Sequence, residues 1–188
     1  TVLILNGCTN SYKVDKYLKW VNENRIESSV LSNGVKLTFR YLPNEWMALT
    51  DVGPNWEELT KDSLSKVVKE YSSGMYFLLK MEAADENTPV LKFNLTNEND
   101  YYNRIRYLTA EINQDIQLIT TLDTSYVTHH VFERAYGLRP YEQVLFHFDK
   151  EPLDSEDVEI QYSGLFTAKK ERFKFNSTTI KKIPKLKI

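Results

Sequence analysis

The stretch Ser28-Ser29-Val30-Leu31-Ser32-Asn33-Gly34-Val35-Lys36-Leu37-Thr38-Phe39-Arg40-Tyr41-Leu42 governs how the rest of the chain is read. Asn33-Gly34 stands between two strand-like runs. A two-residue type I′ turn needs positive φ at both central positions, and Asn-Gly meets that need at least steric cost. In the second arm Val35, Leu37, Phe39 and Tyr41 alternate with Lys36, Thr38 and Arg40. That period of two describes a strand with one buried and one wet face. Pro43 has no N–H to give a ladder, so pairing ends there or the strand lies at an edge. Trp46 to Val52 are expected to extend the sheet.

On the N-terminal side of the hairpin, Val14, Tyr17, Leu18 and Val21 fall on one helical stripe, predicting a helix over residues 12–25 with Ser11 as its N-cap. On the other side, Leu64, Val67, Val68 and Tyr71 predict a second helix over 60–72, with Gly74 as a left-handed C-terminal residue. Met75 to Met81 is a near-continuous apolar run, expected to be a central strand covered on both faces. Ala83 to Pro89 is read as a loop, and Val90 to Leu95 as a short strand with Leu91, Phe93 and Leu95 on one face. Tyr101, Ile105, Leu108 and Ile112 align on a third helix over 99–113. Strand-sized runs follow at Ile116 to Thr121, Tyr126 to Glu133, Gln143 to Phe148, Val158 to Tyr162 and Arg172 to Phe175. The expected fold is α+β: a mostly antiparallel sheet, as a meander, sandwich or partial barrel, with about three amphipathic helices.

The composition fits that fold. Of 188 residues, 41% are hydrophobic and 27% charged, and the 12 Tyr and 9 Phe favour strands over a helix bundle. A net charge of -2 supplies no global field for nucleic acid, so no nucleic-acid partner is expected. Cys8 is the only cysteine, which rules out an intrachain disulfide. No run of about 18 apolar residues occurs, so no spanning helix is expected.

The first residues carry a different signal. Thr1-Val2-Leu3-Ile4-Leu5-Asn6-Gly7-Cys8 turns polar at once with Thr9, Asn10 and Ser11. This resembles the end of a bacterial lipoprotein signal peptide. Leu5, Asn6, Gly7 and Cys8 occupy the positions of the lipobox, with Asn6 departing from the small or apolar residue usual there. The resemblance implies that residues 1–7 are the remnant of a removed signal peptide and that Cys8 is lipidated. Residues 9–188 are then a single α+β domain, lipid-anchored in the cell envelope at the outer membrane or periplasmic face. The other reading makes Val2 to Leu5 a core strand and Cys8 a buried hydrophobe of a cytoplasmic structural domain.

No residue is assigned a catalytic, cofactor-binding or metal-binding role. His129 and His130 are neighbours in an expected strand and point to opposite faces, and His147, between Phe146 and Phe148, lies on the presumed solvent side of another. Asp154-Ser155-Glu156-Asp157, with Glu151 and Glu159 nearby, lacks the ligand spacing and glycine of a calcium loop. There is no Gly-x-Ser-x-Gly turn and no glycine-rich phosphate loop. Asn94-Leu95-Thr96 and Asn176-Ser177-Thr178 match N-glycan acceptors. Lys181-Lys182-Ile183-Pro184-Lys185-Leu186-Lys187-Ile188 alternates basic and apolar residues, as an edge guarded by lysines or as a contact with an anionic surface. The expectation is a membrane-anchored, non-catalytic binding or assembly module facing a protein or glycan partner. The runner-up is an envelope hydrolase using two carboxylates brought together by folding.

Overall fold

A computed structural model describes residues 11–151 and 156–188. The chain opens with β1 (Ser11–Tyr12) and α1 (Val14–Glu23), then the hairpin β2 (Ile26–Ser32) and β3 (Val35–Leu42). Next come α2 (Asn44–Val52), α3 (Lys61–Glu70), β4 (Met75–Ala83) and α4 (Glu98–Arg106). The strands β5 (Ile116–Ile119), β6 (Thr124–Tyr126), β7 (His129–Glu133), β8 (Glu142–Phe148), β9 (Val158–Tyr162) and β10 (Glu171–Phe175) follow. A short α5 (Ser177–Ile180) leads to β11 (Lys185–Leu186).

The hairpin forms as its sequence dictates. Ser32 pairs with Val35, and Asn33 and Gly34 take φ of 48° and 72°. Extending from it, the order β2-β3-β4-β8-β7 makes a five-stranded antiparallel sheet. A second antiparallel sheet has the order β10-β9-β5-β6, and β1 pairs in parallel with β11. The sheets face each other across an aromatic core. Phe39 and Phe173 have ring centroids 4.7 Å apart, and Phe77 and Phe175 5.1 Å apart. Close to the hairpin turn the two layers are stitched together. The hydroxyl of Ser32 donates to Glu171 Oε1 at 2.8 Å and accepts from the Ala168 N–H at 2.9 Å. The result is an α+β sandwich that begins to close along this edge. Burying Phe39, Phe77, Phe146, Phe173 and Phe175 completely removes a large apolar area from water, on the order of 1.5–3 kcal/mol for each ring.

A second cluster lies beside the sandwich. Val14, Tyr17 and Val21 of α1 pack with Leu49 of α2 and Leu64 of α3, and Leu186 and Ile188 join them from the C-terminus. The third helix carries the stripe expected of it: Leu108 and Ile112 are buried in the central core, and Tyr101 and Ile105 are half-buried against it. It is regular only to Arg106. A π-turn at Tyr107–Glu111 and a 3-10 turn at Ile112–Asp115 complete it.

Several local expectations are corrected. The run Tyr126 to Glu133 is not one strand: it splits between β6 of the second sheet and β7 of the first. Trp46 to Val52 form α2 rather than more sheet. Pro43, in extended conformation, serves as the N-cap, and Gly53 at φ 68° stops the helix. Val90 to Leu95 is no strand, because Val90–Lys92 is a 3-10 turn. The Arg104 guanidinium takes the carbonyls of Val90 (3.0 Å) and Phe93 (2.6 Å), acceptors that a ladder would have used. Ser11 lies in β1 and does not cap α1, whose N-cap is Lys13. Gly74 lies outside the left-handed region, and α3 ends on Tyr71. Met75 to Met81 does occupy the middle of its sheet, but only its inner face is fully buried; Tyr76, Leu78 and Lys80 stay half-exposed.

Candidate binding face and the residues around it

The outer face of the five-stranded sheet is built by register. Ser29, Thr38, Lys80, Gln143 and Glu133 are successive partners across the five strands. The neighbouring row is Glu27, Arg40, Leu78, Leu145 and Val131. Strands spaced about 4.8 Å apart hold such rows rigidly, so the polar groups form a fixed lattice. Ser29 Oγ and Thr38 Oγ1 share a hydrogen bond of 2.8 Å, and Lys80 pairs with Glu82 at 2.6 Å. Arg139 donates to Gln143 Oε1 at 3.0 Å. Two of its cations lie against aromatic rings. The Arg40 guanidinium lies 5.4 Å from the Trp46 ring, and the Lys80 ammonium 4.3 Å from that of Tyr141.

Arg40 and Lys80 line a groove of about 180 Å³. Its charged lining is Arg25, Lys36, Arg40 and Lys80 against Glu27 and Glu82, a local cationic excess on a chain of net charge -2. Arg40 is fixed from below, its Nη2 donating to the Val21 carbonyl at 3.2 Å. Burial, and next the charge of Arg25, lowers the Arg40 pKa from the usual guanidinium value, and Glu27 opposes them. Chemically the face offers hydrogen-bond donors and acceptors in register, with positive charge and flanking rings.

A smaller cavity of about 80 Å³ lies near Tyr101, Arg134, Tyr136 and Glu142. Glu142 is 4% exposed and accepts from the Ala135 N–H at 2.8 Å. Burial pushes its carboxyl above the ordinary range, while the Ala135 N–H and then Arg139 and Arg134 pull it back. Arg134 donates to the Tyr101 hydroxyl at 3.2 Å and lies 4.7 Å from the Tyr136 ring. Glu142 is the single acid among the described lining residues, and a glycosidase-type mechanism needs a pair.

The histidines are placed by the ladder. His129 and His130 do point to opposite faces. His130 accompanies Phe146 at 6.2 Å, and its Nε2 lies 3.0 Å from the Thr109 carbonyl. His129 is the cross-strand partner of His147 on the outer face, a juxtaposition that register alone creates. His147 is half-buried rather than solvated, stacked on Tyr76 at 4.8 Å with its Nδ1 3.1 Å from the Thr128 hydroxyl. Its Nε2 is buried without a partner. Burial lowers the His147 pKa, Asp149 raises it and His129 lowers it further.

Cys8, with the lipobox, and Asp154 and Ser155 of the acidic loop lie outside the described residues. Glu159 is turned to the second sheet's outer face, 3.5 Å from Arg172. Among the described residues no group of three His, Cys, Asp or Glu is arranged to hold a metal ion, and no helix is long and apolar enough to cross a membrane. Asn94 and Asn176 are both exposed. A comparison with models of known protein families finds no match, and a search of curated proteins finds none either.

Proposed function

We propose that this protein is a lipid-anchored, non-catalytic binding module of the bacterial cell envelope. Acyl chains on Cys8 hold it to the membrane, and the outer face of the five-stranded sheet receives an acidic glycan. The observation that carries the binding reading is the groove itself: four cations against two carboxylates, beside in-register hydroxyls, with Arg40 and Lys80 each against an aromatic ring. A glycan strand bearing carboxylates matches that surface, because sugar hydroxyls pair with Ser29, Thr38 and Gln143 while acidic groups meet Lys36 and Arg25. The anchor reading is supported by the order Leu5-Asn6-Gly7-Cys8 followed by polar residues.

Two measurements test this. Titration calorimetry with oligosaccharides of uronic acids should show binding that neutral glucose oligomers lack. The charge reversals Arg25→Glu and Lys36→Glu together should weaken it at least about tenfold, since both residues are exposed and sit on the groove wall. Equal affinity for neutral and acidic oligomers would remove the glycan reading. Metabolic labelling with an alkyne fatty acid in the native cell should mark the protein at Cys8, and an unlabelled protein would remove the anchor.

A further inference from the structure

The parallel pairing of β1 with β11 has a consequence for where the domain's charges lie. Ser11 is the partner of Lys185 and Tyr12 of Leu186, and the Lys187 N–H continues the ladder by donating to the Tyr12 carbonyl at 2.8 Å. Side chains alternate along such a ribbon. Tyr12 and Leu186 turn inward onto the cluster of Val14, Tyr17 and Val21, whereas Lys13, Lys185 and Lys187 are exposed. Lys16, one turn along α1, is exposed and sits 3.9 Å above the Tyr12 ring. In the same C-terminal segment Ile183 and Ile188 also face the cluster, while Lys181 and Lys182 face solvent. Apolar residues thus hold this segment to the body of the protein, and its four lysines, with Lys13 and Lys16 beside them, are left outside.

We propose that this basic face is a second membrane contact, lying on the headgroups of anionic phospholipids and orienting the domain at its anchor. The inference rests on the reading of Cys8 as the lipidated residue. Covalent geometry then sets the distance. Three peptide steps separate Cys8 from Ser11, and an extended chain spans at most about 3.6 Å per residue. Ser11, the first residue of the ribbon, is therefore held within about 11 Å of the acylated cysteine, comparable to the Debye length of about 8 Å at physiological salt. At that range lysines feel the potential of an anionic leaflet. The opposing acids known on α1 are Asp15 and Glu23, and Glu23 is paired with Lys19. The chain as a whole is slightly acidic, so attraction to a membrane must come from such a local patch.

The test separates this face from the anchor. Full-length protein carrying Cys8→Ser, which has no acylation site, is mixed with vesicles of phosphatidylcholine alone or with about a third phosphatidylglycerol, at low salt, and co-sedimentation is measured. The expected result is at least about tenfold stronger partitioning onto the anionic vesicles, abolished at 1 M salt. It should also be abolished in a further variant, Lys13→Glu, Lys185→Glu and Lys187→Glu, whose circular dichroism confirms that it is folded. A matched reversal at the exposed Lys169, Lys170 and Lys174, outside this ribbon, should leave it unchanged. No preference for anionic vesicles, or equal loss in the matched variant, overturns the proposal. Retained preference in a protein that is never labelled at Cys8 would keep the face as a membrane contact and remove only the anchor.

Discussion

A Cβ added to Gly74 would lie 2.2 Å from His147 Nε2 and 2.6 Å from its Cδ2, closer than atoms pack. Glycine is required here for space and not for a left-handed turn, a role that helix-ending signals in the sequence cannot distinguish. The position therefore couples to a histidine far along the chain, and only the register of β4 with β8 reveals it. Gly74→Ala should destabilise the fold by about 1–3 kcal/mol, as overpacking does. The same change in a His147→Ala background should cost much less. A double-mutant cycle by urea unfolding measures the coupling, and additive effects would show that His147 is not the obstacle. His147 also makes a prediction in pH. Burial, the largest cause, lowers its folded pKa, so the unfolded chain binds the proton more readily. Its contribution to stability is complete above the unfolded pKa of about 6.5 and is lost as pH falls below that value toward the folded pKa. Stability should thus rise with pH across that window, and His147→Gln should flatten that part of the curve. The pairing of His129 with His147, like the placement of Glu142 beside Arg134, was invisible in the sequence because each partnership is made by folding.

Elements were legible where local chemistry and tertiary context agreed. Asn33-Gly34 states its own turn, and the alternation after it matches a sheet with one wet face. The stripes of α1 and α3 were legible for the same reason, with ends near 14 and 23 and near 61 and 70. Failures occurred where another element competes for the backbone. The Leu91, Phe93 and Leu95 alternation looks like a strand, but Arg104 takes its carbonyls. The apolar residues after Pro43 look like more sheet, but they coil into a helix whose Leu49 packs against Val14, Tyr17 and Val21 of α1 and Leu64 of α3. The irregular end of α4 has a physical reason as well. The Tyr107 hydroxyl donates to Asp115 Oδ2 at 2.7 Å and lies 3.2 Å from that of Tyr162. This polar group is bound inside an apolar core, and burial raises the Tyr107 pKa far above the phenol range. Leu108 follows it in the π-turn and is completely buried. Leu108→Ala should cost about 2–5 kcal/mol by chemical denaturation. A cost under about 1 kcal/mol would mean that this turn collapses around the missing side chain.

At the scale of the whole molecule, the two ends of the described fold meet in one ribbon, and the proposed glycan face lies on the sheet rather than on that ribbon. An anchored binding protein needs this separation, because a ligand must reach its site while the membrane holds another face. Two acyl chains bind a membrane stably, and each buried methylene adds about 0.8 kcal/mol. A patch of lysines alone binds reversibly and only where salt is low. These two strengths predict how Cys8→Ser behaves in cells. The variant should remain folded with an unchanged thermal midpoint, since on the anchor reading Cys8 serves only to carry the acyl chains. In fractionation it should leave the membrane pellet for the soluble fraction once salt is raised to about 1 M, where the Debye length falls to about 3 Å. The native protein should stay in the pellet through the same wash and come off only with detergent. If both proteins instead wash off together, acylation contributes nothing to retention and the anchor is lost from the account. If the variant's midpoint drops by many degrees, Cys8 belongs to the packed structure, as the strand reading of Val2 to Leu5 requires.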